Sequence, residues 1–304
     1  MKRLSKEIVI VTVLIALTYA LPSWAEDKAA VTADRITVAE IGFATPESVE
    51  YYAAQDVYLV TNVNGSPVEA DGNGFISKIR PDGTVVDLKW IDGTKKGTRL
   101  SAPKGAAVQG NILYVADLNE VQLFELPGGQ QKASVHIPGS TFLNGITPGA
   151  GDFVYVTDSG LKSGDSGFVA SGTDAVYKIS ADGTVETVVK DKDMGRPNGI
   201  VTDGSDLVIV TFGSGEVYRL DSSGKRQAMP TPPKGSLDGV VKLEDDRFLI
   251  TSWDGAAIYI LGKDGEYTTL ADGLDSPADI GLDTKRNRVL IPLFQLDKVI
   301  LLSL

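Results

Sequence analysis

Six copies of one short segment recur along this chain, and their spacing constrains the fold more than any other feature. Each copy leads into an apolar strand that is followed by further strand-like stretches, and the second residues of the copies lie at positions 47, 104, 144, 198, 238 and 278. Repeats of about 40 residues with four strands each are typical of propeller blades. The sequence therefore predicts an all-β, six-bladed β-propeller with four antiparallel strands per blade. The copies are Pro46-Glu47-Ser48, Pro103-Lys104-Gly105, Leu143-Asn144-Gly145, Pro197-Asn198-Gly199, Leu237-Asp238-Gly239 and Pro277-Ala278-Asp279.

The last repeat contains only three strand-like stretches, the third of which runs from Val299 to Leu302. A further strand-like stretch, Ile36 to Glu40, precedes the first repeat. Pairing these two stretches would remove two exposed sheet edges by closing the ring. We therefore expect the N-terminal strand to complete the sixth blade.

Two repeats are longer than the others because they carry insertions, Val63 to Asn73 in the first blade and Ser159 to Thr173 in the third. Both insertions join the second strand of a blade to its third, so they should reach the same face of the ring as the starts of the inner strands. Loops of this length in a compact repeat commonly carry function, although tolerated insertions are the alternative.

The first 25 residues have the pattern of a secretory signal peptide. A basic start is followed by an apolar stretch over residues 8–20 and by the small-x-small sequence Ser23-Trp24-Ala25. This pattern predicts a periplasmic or secreted protein whose mature chain, residues 26–304, is a single propeller domain. An uncleaved membrane anchor is the alternative. The chain has no cysteine, so packing and strand pairing must hold it together without disulfides.

The formal net charge is −11 at pH 7. A surface of this sign repels phosphate backbones and anionic lipid, which argues against nucleic acid and membrane partners once the signal peptide is removed. Cationic ligands and metal ions are not disfavoured. We expect a monomer that binds a small-molecule substrate or ligand.

The inner strands of a propeller line its axis, so the second residues of the six copies should form a ring around the channel. Four of them offer oxygen and the other two are Lys104 and Ala278. Carboxylate and amide oxygens without sulfur or imidazole suit a hard cation, with calcium first and magnesium or manganese behind it. The alternative is that Asn-Gly and Asp-Gly are only turn formers at the strand starts. The oxygen-bearing residues are Glu47, Asn144, Asn198 and Asp238.

Several neighbours of this ring have more than one interpretation. Lys104 either neutralises Glu47 in an ion pair or reaches the mouth of the channel and holds an anionic substrate group. Asp279 would add a carboxylate if its strand were rotated. Phe142, just before Asn144, belongs either to the core or to an apolar wall at the mouth, and Trp253 is expected to pack between blades.

Other catalytic motifs are absent from the sequence. The only histidine, His136, falls in the outer strand of the second blade, which argues against a Ser-His-Asp triad. There is no Gly-x-Ser-x-Gly elbow and no glycine-rich phosphate loop before a helix.

At its blade-start motifs the chain resembles the senescence marker protein, gluconolactonase and luciferin-regenerating enzyme family of six-bladed propellers, over nearly the whole mature chain. The resemblance implies one divalent ion in the channel. Its ligands would be Glu47, Asn198 in Arg196-Pro197-Asn198-Gly199 and Asp238 in Leu237-Asp238-Gly239, with Asn144 as the second channel Asn on the substrate side.

The resemblance also implies lactone hydrolysis, in which the metal polarises the carbonyl group while Asp238 helps to activate water. The chain departs from the family pattern at Phe142, which replaces a substrate-binding Arg, and at Ser48-Val49, which replaces Gly-Pro. Loss of the Arg argues against sugar-acid lactones as substrates.

The leading hypothesis is an exported, metal-dependent hydrolase of lactones or related esters. Asp238 would be catalytic, Asn144, Lys104 and Phe142 would bind substrate, and Glu47, Asn144, Asn198 and Asp238 would bind the ion. The alternative is a non-catalytic periplasmic propeller that binds a small ligand or a partner protein at the channel mouth.

Overall fold

The computed structural model describes residues 34–165 and 167–304, in which all regular secondary structure is β. The predicted signal peptide lies outside these residues. None of the described residues forms a helix with the length and apolar character that a membrane crossing needs. The strands are β1 Arg35–Val38, β2 Pro46–Tyr52, β3 Val57–Asn62, β4 Phe75–Ile79, β5 Val85–Asp92, β6 Pro103–Gln109, β7 Ile112–Asp117, β8 Glu120–Glu125, β9 Gln130–His136, β10 Leu143–Pro148, β11 Phe153–Asp158, β12 Leu161–Gly164, β13 Gly167–Ala170, β14 Ala175–Ser180, β15 Val185–Lys190, β16 Pro197–Asp203, β17 Asp206–Thr211, β18 Val217–Leu220, β19 Arg226–Ala228, β20 Leu237–Lys242, β21 Phe248–Ser252, β22 Ala257–Leu261, β23 Tyr267–Ala271, β24 Gly281–Asp283, β25 Arg288–Leu293 and β26 Lys298–Ser303.

The strands form six four-stranded antiparallel sheets arranged as the blades of a propeller, which confirms the predicted fold. From the inside outward, the blades are β2-β3-β4-β5, β6-β7-β8-β9, β10-β11-β14-β15, β16-β17-β18-β19, β20-β21-β22-β23 and β24-β25-β26-β1. The insertion in blade three contains the separate hairpin β12-β13, which the sequence analysis did not predict.

The ring closes as predicted, because β1 pairs antiparallel with β26 from Arg35 opposite Leu302 to Val38 opposite Val299. Side chains also join blade one to blade six near this closure. The Tyr58 hydroxyl donates to the Asp283 carboxylate at 2.6 Å, and Asp283 also accepts from Arg286 at 2.8 Å.

Burial follows the position of each strand within its blade. The second strands β3, β7 and β25 are buried along their whole length because neighbouring blades cover both faces. The outer strands β5 and β9 have mostly exposed or half-buried residues, including His136 at the end of β9, as expected. The apolar core therefore lies between the blades, and the hydrophobic effect holds neighbouring sheets together.

The inner strands approach one another closely around the axis. A Cβ atom placed on Gly105 would lie 2.6 Å from the Asn144 carbonyl oxygen, which is too close for any side chain, and Gly145 meets the Asn198 carbonyl in the same way. Between blades six and one, the Asp279 N–H donates to the Glu47 carbonyl at 2.9 Å. This close approach brings the residue before each of these glycines toward one point.

Removing β1 should open the ring. Deletion of residues 34–41 uncovers β26 and loses the burial of Val38, which is 5% exposed. A loss of about 3–5 kcal/mol corresponds to a melting temperature lower by about 10 °C in a domain of this size. The exposed Thr37 is the control, since Thr37→Ser should melt within about 2 °C of wild type. Calorimetry measures the melting temperatures. A deletion variant with the melting temperature of the wild type would rule out this closure.

Candidate functional site

A cavity of about 320 Å³ opens at the end of the channel where the inner strands begin. Residues from both insertions line it, Val63 and Pro67 from the first and Leu161 and Phe168 from the second. The predicted location of the two insertions on the face of the strand starts is therefore confirmed.

The floor of this cavity is made by five of the six side chains that were predicted to form a ring, whereas Ala278 is not among the residues that line the cavity. Each is at most 5% exposed, although each lines the cavity, and each comes from a different inner strand. Phe142 also lines the cavity, as part of its wall. The floor residues are Glu47, Lys104, Asn144, Asn198 and Asp238.

A repeated backbone irregularity directs these side chains toward the axis. In blades one to five the pairing of the inner strand with the second strand shifts register across the floor residue, for example between Pro46 and Val49. Such a bulge re-aims one side chain out of the regular alternation. Buried threonines take up hydrogen bonds at the irregular positions, since Thr61 Oγ1 accepts from the Ser48 N–H at 2.9 Å and Thr251 Oγ1 from the Gly239 N–H at 2.6 Å.

Four oxygen atoms of the floor are buried and have no hydrogen-bond partner. Buried polar atoms are nearly always paired in folded proteins, and leaving one unpaired costs about 1–3 kcal/mol. Four such atoms on one floor, all of them acceptors, match what a hard cation requires. These four residues are the ones that could hold a metal ion. The atoms are Glu47 Oε2, Asn144 Oδ1, Asn198 Oδ1 and Asp238 Oδ1.

The hydrogen bonds of Asn144 determine which side of its amide faces the cavity. The Ser159 hydroxyl donates to the Pro197 carbonyl at 2.7 Å, so toward Asn144 it can only accept. Asn144 accordingly donates its Nδ2 to Ser159 at 3.1 Å, which leaves Oδ1 as the atom directed to the floor. Ser159 begins the insertion of blade three, so this insertion helps to build the site.

Lys104 does not make the ion pair with Glu47 that was one of the two sequence interpretations. Its Nζ donates to the Ala102 carbonyl at 3.2 Å and lies 4.2 Å from the centre of the Phe142 ring. Within the described part of the chain, no carboxylate pairs with this ammonium. Burial lowers the pKa of Lys104 to about 8, against the opposing effect of Asp117 and Glu47.

Burial is also the main cause that raises the pKa values of Glu47 and Asp238. The charges of Asp238 and Asp279 raise the pKa of Glu47 further. The charge of Asp279 does the same for Asp238. The nearby Trp253 indole N–H acts in the opposite direction and lowers the pKa of Asp238, although it makes no hydrogen bond. A cation on the floor would remove the cost of ionising both carboxylates.

Asp279 does not join the cavity floor. Its carboxylate accepts from the Ser48 hydroxyl at 2.8 Å, and burial raises its pKa to about 7. Burial and the Asp279 charge together raise the pKa of Glu50 to about 8. The inner strands thus carry a second acidic pair, Glu50 and Asp279, beside the floor.

The described residues contain no group of three or more Asp, Glu, His or Cys side chains that could hold a metal ion. The floor has only two carboxylates, and its other two oxygens come from amides. Mixed carboxylate and amide oxygen sets occur in calcium sites.

An aromatic wall that was not predicted from the sequence lies above the floor. Its three rings belong to the residues that directly follow the second strands of blades four, five and six, which are Phe212, Trp253 and Phe294. The backbone N–H of each donates to a carbonyl just before the inner strand of the same blade, that of Arg196, Ser236 and Ser276 respectively. The Trp253 ring centre lies 5.3 Å from that of Phe212 and 5.4 Å from that of Phe294. Trp253 therefore packs between neighbouring blades, as expected, and it does so at the cavity. Comparing the residue after each second strand would have revealed the wall.

The chain has the fold of known propeller enzymes. A gluconolactonase from Xanthomonas campestris superposes with a TM-score of 0.68 at 18% identity, over 89% of each chain. A virginiamycin B lyase from Staphylococcus aureus, solved with quinupristin, gives 0.61 at 16% identity over 90% of this chain and 99% of the lyase. A streptogramin B lyase gives 0.60 at 14% identity over 89% of this chain and 97% of the lyase.

These similarities confirm the predicted resemblance to gluconolactonases at the level of the fold. Neither a protein-family model nor a curated protein matches the sequence itself. Since hydrolases and lyases share this architecture, the reaction must be argued from the site.

The raised pKa of Glu50 predicts a pH dependence of stability. Between its ordinary pKa of 4.5 and about 8, the native state keeps a proton that the unfolded state loses. This contribution to stability is complete below about pH 4.5 and is lost as the pH rises through about 8. In chelator, Glu50→Gln should therefore flatten the fall in melting temperature between pH 5 and 8. The exposed Glu266→Gln is the control. Parallel curves for wild type and Glu50→Gln would contradict the assignment.

Proposed function

We propose that this protein is an exported, metal-dependent hydrolase of lactones or related esters. The observation that carries the proposal is the set of four unpaired oxygens on the floor of a cavity with an apolar wall. The fold shared with a gluconolactonase supports the reaction class, and the pattern of residues 1–25 supports export.

Glu47, Asn144, Asn198 and Asp238 would hold the ion, with calcium favoured by the all-oxygen donor set. A divalent ion bound there supplies Lewis-acid polarisation of an ester carbonyl. The residues fit a metal ion because each presents a buried oxygen that has no hydrogen-bond partner and can accept a cation.

Asp238 is the proposed general base. It takes a proton from water as the water oxygen bonds to the carbonyl carbon, and it returns the proton to the ring oxygen as the carbon–oxygen bond of the lactone breaks. The product is a hydroxy acid. Lys104 lies on the same floor and would offset the negative charge that develops on the substrate, while Phe142 positions the Lys104 ammonium through its ring face.

The second candidate function is a non-catalytic propeller that binds a small ligand. Lys104 favours it, because an ammonium on the floor can balance one carboxylate without any metal. The two candidates differ in whether the folded protein needs a divalent ion.

Chelation should destabilise the protein. Calcium at about 100 times its Kd adds about 2.7 kcal/mol, or about 5–10 °C in melting temperature. We expect EDTA to lower the melting temperature and excess calcium to restore it. Glu47→Gln and Asp238→Asn should abolish the response, whereas the exposed Asp272→Asn should keep it. If both floor variants respond as wild type does, the ion binds elsewhere.

Asp238→Asn should remove activity while leaving the fold intact. Positioned acid-base catalysis contributes about 10² to 10⁴-fold, so kcat on any lactone substrate should fall by at least about 10²-fold. Asp272→Asn again serves as the control. Turnover of a broad lactone and ester panel is measured by proton release. If no compound of the panel shows calcium-dependent turnover, the hydrolase proposal is wrong and the ligand-binding propeller takes its place.

A further inference from the structure

We propose that the substrate is an apolar lactone or ester, bearing an alkyl chain or an aromatic ring, and not a polyhydroxylated sugar lactone. This inference rests on the proposed function, and it specifies which group occupies the cavity above the reacting carbonyl.

The wall above the floor is apolar over most of its extent. Phe212, Trp253 and Phe294 form its aromatic side, with neighbouring ring centres 5.3 and 5.4 Å apart. Leu161 and Phe168 of the blade-three insertion contribute further apolar groups. The three rings are half-buried in the protein, so a ligand that covers them gains the hydrophobic effect at exposed aromatic surface.

Two of the polar side chains near the wall, Ser159 and Lys104, already have partners. The Ser159 hydroxyl both accepts from Asn144 and donates to Pro197. Lys104 donates to Ala102 and lies against the Phe142 ring. Among the described residues that line the cavity above the floor, the remaining polar groups are the Gln295 side chain and the Trp253 indole N–H, which is buried without a hydrogen-bond partner. Two such groups are too few to pair all the hydroxyl groups of a sugar lactone, so most of those hydroxyls would lose water at this wall without gaining partners.

The size of the cavity limits the apolar group. A volume of about 320 Å³ corresponds to about ten groups of the size of a water molecule, at about 30 Å³ each. A five-membered lactone ring with its carbonyl oxygen takes six heavy atoms. The remaining space fits a chain of about four carbons, beyond which further carbons would extend into solvent.

The test uses γ-lactams, in which an amide replaces the ester, so that binding is measured without turnover. Calcium-loaded protein is titrated by calorimetry with lactams that carry hydrogen, ethyl, butyl or octyl at carbon 5. Each buried methylene should improve Kd by about fourfold up to butyl, and octyl should add little more. A lactam that carries hydroxyl groups in place of the chain should bind at least tenfold more weakly than the butyl lactam.

Variants of the wall locate the effect. Phe212→Ala and Phe294→Ala should each weaken the butyl lactam by about tenfold and leave the unsubstituted lactam unchanged. Phe153→Ala is the matched control, because Phe153 is also half-buried but lies outside the cavity. The chain-length series needs only wild-type protein, so a variant that fails to fold does not weaken the test.

The outcomes separate this inference from the proposed function. A flat chain-length series, or a hydroxylated lactam that binds as tightly as the butyl one, overturns the apolar class even if lactones are hydrolysed. A rising series without turnover of any lactone upholds the apolar class and removes the hydrolase. Equal losses in Phe212→Ala and Phe153→Ala would also overturn the inference, since the wall would then have no specific role.

Discussion

Closure of the ring is the constraint on which the site depends. Six sheets can surround one axis only if the first and last are joined, and β1 makes that join by pairing with β26. Closure forces the inner strands together, and Gly105 and Gly145 allow the approach because no side chain fits between neighbouring backbones. The side chains next to these glycines then share a single small volume. The site is therefore a property of the closed ring and not of any one blade.

Bringing those side chains together buries two carboxyl groups, and none of the described residues forms an ion pair that compensates a negative charge on either. Glu47 and Asp238 are buried with oxygens that accept no hydrogen bond, and burial raises the pKa of each. The ammonium group of Lys104 is on the floor, but it donates to the Ala102 carbonyl and lies over the Phe142 ring. Protons or a metal ion can supply the missing positive charge, and the two compete because metal ligands must be deprotonated. An ion on the floor and a substrate carbonyl beside it are one consistent solution.

Much of this arrangement could be predicted from the sequence because it repeats. The recurring second residue locates the floor in five of the six copies, and the short last repeat locates the closing strand. The conformation of Lys104 could not be predicted, since it depends on a carbonyl and an aromatic ring placed by the fold. The hairpin β12-β13 has a local sequence too short to separate a strand from an irregular loop. The position of Trp253 between blades could be predicted, but its place on the cavity wall could not, because a tryptophan packs equally well in a core or on a wall until its neighbours are known.

The direct test of the central claim is a count of calcium ions bound to the purified, folded protein. Equilibrium dialysis against calcium should give one ion per chain in wild type. In the double variant Glu47→Gln with Asp238→Asn, the same ion should bind at least about 100-fold more weakly, because two charged ligands are lost. Wild-type protein that binds no calcium at millimolar concentration, or a double variant that binds it undiminished, would contradict the account.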